Sequence, residues 1–113
     1  MTNSRLDLSA IRRRSGDLDK LLLIGDADLA TLSALRSALR GLIDDAMVGA
    51  IVDVSLLGVL DHGVLGELLG ARMRAASKGI SLVVVCVDDR VFEWLERSGI
   101  NELLVVSRTE IAT

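Results

Sequence analysis

Proline and tyrosine are absent from the chain, and phenylalanine, tryptophan, histidine and cysteine occur once each. With no proline-rich stretch to mark a linker, the 113 residues fit a single domain, residues 1–113, of ordinary size, able to bury a core without disulfides. Aromatic residues make up 2% against 50% hydrophobic. The core must therefore be built from Leu, Val, Ile and Ala, and the profile is not that of a disordered chain. The lone Cys86 excludes an internal disulfide or a cysteine metal cage and reads as a core thiol in a reducing compartment. Cationic excess is also missing. A net charge of -3 disfavours nucleic acid as the main partner, because phosphate binding relies on clustered positive charge. Arg12, Arg13 and Arg14 form the only basic run, read as a solvated strand or hairpin face in preference to a patch for an anionic partner. The longest uncharged apolar run, Ile80 to Val87, is too short for a membrane span. Charge and apolar residues alternate from Ser4 to Leu8, unlike a secretory signal, so the expected location is the cytoplasm.

What is present is a regular alternation of apolar patterns. Leu6 to Arg14 and Leu18 to Gly25 read as two strands of an antiparallel hairpin around Ser15, Gly16 and Asp17. Asp28 is placed to cap a helix whose apolar side is Leu29, Leu32, Leu35, Leu39, Leu42 and Ile43, with Arg36, Ser37 and Arg40 pointing away. Gly41 inside it costs about 1 kcal/mol relative to alanine, so the helix either loosens there or has a close neighbour. Gly49 marks the turn into a β-branched strand, Ile51, Val52 and Val54, broken by Asp53 and ended by Ser55. From Val64 the period becomes helical, with Val64, Leu65, Leu68, Leu69, Met73 and Ala76 near one side, and Lys78 and Gly79 form the stop signal. Ile80 to Val87 is a further buried strand. Asp88 or Asp89 then caps a short helix with Val91, Leu95 and Ser98 on one side, Trp94 flanking it as a half-buried packing residue or else a partner anchor, and Gly99 ending it. Leu103 to Val106 is the last strand, and Ser107 to Thr113 leaves room for one or two helical turns. The order β-β-α-β-α-β-α-β defines an α/β domain with a mixed sheet, a parallel core plus an antiparallel first strand. Three helices cannot cover both faces, so some apolar surface should remain at the C-terminal side for self-association, as a possible homodimer, or for a partner.

Asp61, His62 and Gly63 sit where the middle strand turns into the following helix, the place at which α/β domains present chemistry. Asp61 is suited to capping that helix. His62 could be a phosphoacceptor, a metal ligand, a pH sensor or a polar turn residue. Without a second histidine or a cysteine pair, the turn or contact role is preferred and no metal or other cofactor is expected. Asp26, Asp28 and Asp61 could gather at one end of the sheet, but no nucleophile, lysine or oxyanion loop accompanies them and capping accounts for Asp28, so the chain does not read as an enzyme. Gly66 and Gly70 are read as letting the helix backbone lie close to a neighbour rather than cradling a ligand.

The order of elements and three motifs resemble the STAS domain of bacterial anti-sigma factor antagonists over roughly residues 5 to 107. The motifs are Gly25-Asp26-Ala27-Asp28-Leu29, Asp53-Val54-Ser55 followed by Val59-Leu60-Asp61, and Ser98-Gly99-Ile100. In that family Asp61 would be followed by Ser-Ser-Gly-Leu-Gly, whose second serine is phosphorylated by a kinase anti-sigma factor to switch off antagonism. An ungapped alignment keeps Leu65, Gly66 and Leu68 in register and puts Gly63 at the phosphorylated position, whereas a one-residue deletion aligns Gly63 with the motif glycine. Either way no Ser or Thr lies between Ser55 and Ser77. A phosphate there would place nearly two negative charges beside Asp61; without an acceptor oxygen that switch cannot operate. Glu67 stands where the family is usually apolar or small, and reads either as a partial electrostatic substitute for phosphate or as a solvent-facing charge.

The resemblance implies a regulatory, non-catalytic protein-interaction module that binds an anti-sigma factor or kinase-type regulator through Asp28, Asp61, His62, Gly63, Val64 and Glu67. The alternative is a STAS-type accessory or scaffold subunit of a transporter or stress-signalling complex. A small-ligand sensor ranks last, since no glycine-rich phosphate cradle is present.

Overall fold

The chain turns first at Gly16, whose φ of +58° suits a residue without a Cβ. That turn joins strand β1 (Ser9–Ser15) to β2 (Leu18–Ala27) in the expected antiparallel hairpin, Ser15 opposite Leu18 and Ser9 opposite Ile24. The computed structural model describes residues 8–109. The start of the first expected strand and the end of the C-terminal segment lie outside them. The remaining elements are α1 (Leu32–Asp45), β3 (Gly49–Leu60), α2 (Gly63–Lys78), β4 (Ser81–Val85), α3 (Asp89–Ser98) and β5 (Val105–Ser107), with single 3-10 turns at Leu29–Thr31 and Ile100–Glu102. The sheet order is β1-β2-β3-β4-β5, and every pair after the first is parallel. The architecture is the mixed α/β sheet that the element order predicts.

One core lies between the sheet and the helices. Leu21 and Leu23 from β2, Val52 and Val54 from β3, and Val84 from β4 meet Leu35, Leu39, Leu42 and Ile43 of α1, Val64 and Leu68 of α2, and Val91 and Leu95 of α3. All three helices therefore pack on the same face. The other face carries Lys20 and Leu22 beside Ile51 and Asp53, as the parallel register dictates. Asp53 is buried there and tolerated because its Oδ1 accepts from Ser55 N at 2.9 Å while Lys20 Nζ lies 3.9 Å from Oδ2.

Several elements depart from the sequence reading. The middle strand does not end at Ser55 but runs to Leu60, because β2 keeps pairing with it through register shifts between Leu22 and Ile24 and between Gly25 and Ala27. Such irregularities interrupt the alternation by which a strand is recognised. In α2 the buried stripe is Val64, Leu68, Ala71 and Ala75, whereas Met73 is 68% exposed and Ala76 also faces outward. Leu29 is 80% exposed, outside the α1 stripe, and Ser98 is exposed on α3. Helix α1 continues unbroken past Gly41, with the Arg12 guanidinium 3.5 Å from where a Cβ would stand. At the far end Lys78 Nζ donates to the carbonyls of Ile43 and Asp44, tying the last turn of α2 to that of α1. Gly79 (φ +77°) and Gly99 (φ +78°) end their helices as the stop signals predict.

Candidate functional site

The carboxyl ends of β2 and β3 are laced into one lip by backbone donors and three aspartates. Asp61 N donates to Ala27 O at 3.0 Å, and Val59 N donates to Asp26 Oδ1 at 3.1 Å. Gly58 makes the second bond possible, since a Cβ there would stand 2.9 Å from Asp26 Oδ1. Asp28 caps the 3-10 turn that leads into α1, not α1 itself as the sequence suggests; the residue before α1 is Thr31, which makes no side-chain capping bond. Asp28 Oδ1 accepts from Ala30 N at 3.0 Å and Thr31 N at 3.1 Å, and the Asp28 N–H donates to Thr31 Oγ1 at 3.0 Å. Thr31 Oγ1 in turn donates to Asp26 O at 2.7 Å. The three carboxylates do meet at one end of the sheet, and each accepts from backbone N–H groups, which makes them builders of the lip.

Asp61 is displaced by one residue from the cap position expected for it: His62 precedes α2, in helical conformation and without a side-chain capping bond, while Asp61 Oδ1 accepts from Gly63 N at 3.3 Å. His62 is exposed, and its ring centroid lies 6.2 Å from that of the half-buried Trp94 on α3. Gly63 is wedged against α1, its hypothetical Cβ 3.0 Å from a Leu32 methyl. Two expected contact residues are corrected. Val64 is buried at 1% exposure, so it anchors the turn from below and offers a partner nothing. Glu67 is not a lone charge, because Arg36 grips it in a bidentate pair, Nε to Oε1 at 3.1 Å and the terminal nitrogen to Oε2 at 2.7 Å. Those hydrogen bonds, and then the neighbouring negative charge, hold the Arg36 guanidinium above its ordinary pKa. Sequence reading had Arg36 pointing away from the core, which it does; what the spacing did not show is that it reaches α2. Gly66 and Gly70 are also corrected, since no atom lies within 4 Å of a Cβ built on either.

The lip has an apolar rim. Leu29, Leu56 (55% exposed), Val59 (50%) and Val87 stand exposed at or just past the ends of β2, β3 and β4. This is the uncovered apolar surface expected at the C-terminal side. Among the described residues no group of three His, Cys, Asp or Glu side chains could hold a metal ion, and no helix is long and apolar enough to cross a membrane.

A hydrogen-bonded strand-to-helix lip on a five-stranded sheet with helices on one face is the layout of a small α/β domain with a single sheet. The chain belongs to the STAS family, whose model described as "Mlab, STAS domain" matches residues 5–106. No curated protein matches the chain. Among solved structures it is similar to an anti-sigma factor antagonist from Mycobacterium paratuberculosis, with a TM-score of 0.82 at 16% identity over 91% of this chain and 87% of that one. The unphosphorylated anti-sigma factor antagonist SpoIIAA matches with a TM-score of 0.71 at 16% identity over 90% of each chain. The phosphorylated form of the Bacillus cell fate determinant SpoIIAA gives 0.65 at 15% identity over 90% of this chain and 93% of that one. At these identities the likeness is one of fold.

Proposed function

We propose that this protein is an anti-sigma factor antagonist-type docking module that acts in the cytoplasm by binding, without turnover, and that phosphorylation does not switch its lip. The observation that carries the reading is the lip itself, hydrogen-bonded into one shape, rimmed by exposed Leu29 and Val59, and without Ser or Thr from 56 to 76. Asp28, Asp61, His62 and Gly63 form or flank the contact surface, Glu67 supports it through Arg36, and binding frees a sigma factor by mass action. An exposed apolar rim on a rigid support is the kind of surface that association covers.

The test is capture of a kinase-type anti-sigma factor from the protein's own cell, followed by incubation with ATP. The expected result is a stable complex with no phosphoryl group on this chain, which Val59→Asp disrupts. No complex with any such factor, or a phosphoryl group on His62, overturns the proposal. Gly63→Ser supplies the missing hydroxyl and is expected to restore phosphorylation once Leu32 gives way to the new Cβ. The absent hydroxyl also favours a second reading, a STAS-type accessory subunit of a transporter or a scaffold, because a constitutive subunit needs no switch. Capture of a transporter ATPase in place of an anti-sigma factor selects that reading.

A further inference from the structure

The lip does not end at His62. Between the start of α2 and the outer side of α3 lies a cleft of about 260 Å³ lined by His62, Trp94, Arg97 and Ser98. The tilted approach of the His62 and Trp94 rings, with an interplanar angle of 37°, closes one wall. Arg97 supplies the charge at the other end. It is exposed, in the last turn of α3, and among the described residues it makes no hydrogen bond or ion pair, not even with Glu93 one turn earlier. No acidic side chain lines the cleft, although the chain as a whole is acidic. The Asp61 carboxylate next to it accepts from Gly63 N. The neighbouring Ser98 hydroxyl donates to Leu95 O at 2.6 Å, which leaves the Arg97 guanidinium open to a ligand beside the ring N–H groups of His62 and Trp94.

We propose that this cleft receives an acidic side chain of the partner protein that docks on the lip, its carboxylate on the Arg97 guanidinium and its aliphatic stem along the Trp94 indole. The proposal rests on the docking reading above and adds to it a second contact, contributed by α3, that sets which partner fits. Tryptophan and arginine are among the residue types most enriched at the positions that carry interface binding energy. A guanidinium that faces apolar surface gains most from a carboxylate able to take two parallel hydrogen bonds. Continuity argues for a protein segment as the occupant, since His62 belongs to both the lip and the cleft wall.

The test places a photo-reactive residue at position 97, and separately at position 62, of the full chain in its own cells and sequences the cross-linked peptides. The expected result is one partner protein from both positions, with an Asp or Glu in the peptide captured at 97. Arg97→Glu is then expected to weaken capture of that partner by about tenfold or more, and a reversed charge on the partner's acid to restore it. The melting temperature should fall by no more than a few degrees, since Arg97 has no internal hydrogen bond to lose and only its favourable charge at the C-terminal turn of α3 is reversed. Cross-links from 62 but none from 97 overturn the cleft and leave the lip reading standing; none from either position overturns both. A cross-link from 97 to a second copy of this chain, to a nucleotide or to a segment without acidic residues also overturns the cleft, as does an Arg97→Glu variant that binds normally.

Discussion

At the scale of single residues, Cys86 shows what burial does to a lone titratable group. Its side chain is fully buried beyond the end of β4, and loss of solvent is the main cause that pushes the thiol from 9.0 up to about 11, with the nearby Arg108 pulling the other way. The folded protein thus holds this proton more tightly than the unfolded chain does. The contribution of Cys86 is complete below pH 9 and is lost as pH rises toward 11, by an amount on the order of 2 kcal/mol. The chain has no tyrosine, and comparison with a variant that lacks the thiol isolates the effect. Urea unfolding at pH 8 and pH 10.5 should show a larger loss for the wild type than for Cys86→Ala, and equal losses would refute the assignment. Gly58 acts at the same scale through the room that its missing side chain leaves. A methyl there collides with the Asp26 oxygen that accepts from Val59 N, so Gly58→Ala is expected to destabilise by about 1–2 kcal/mol, read as a lower urea midpoint. Gly66→Ala would not show this.

At the scale of elements, Gly66 and Gly70 are exposed in the interior of a 16-residue helix, and a Cβ on either would have open space around it. Replacing either with alanine should stabilise the free protein by up to about 1 kcal/mol, checked as a rise in melting temperature. A fall would reveal a packing role that the geometry does not contain. The helices were legible in the sequence where capping and stop chemistry is local: Asp28, Asp88, Gly79 and Gly99 all act as their types predict. The length of β3 was not legible, because its second half pairs with β2 through shifts in register that leave no periodic trace. The candidate site was half legible. The turn Asp61-His62-Gly63 could be read from the change of period. Three-dimensional proximity alone shows the burial of Val64, the grip of Arg36 on Glu67 and the approach of Trp94 to His62, each joining residues from different elements or deciding which way one faces.

At the scale of the whole molecule, the sheet has two open edges, β1 and the three-residue β5. The run Arg12, Arg13 and Arg14 lies on the long edge, where charge discourages pairing with another chain. Arg12 is tied to Asp45 at 3.2 Å, while Arg13 is exposed and has no partner among the described residues. Arg13→Ile should therefore leave the fold intact and raise light scattering at tens of micromolar, and an unchanged scattering mass would show that the edge is guarded by something else. The strand order carries a further consequence. Because each strand in the sheet lies beside its predecessor in the chain, a polypeptide leaving the ribosome never waits for a later segment to fill an earlier gap. The topology allows the hairpin to form first and each subsequent strand to meet an edge already in place, so assembly can follow the direction of translation.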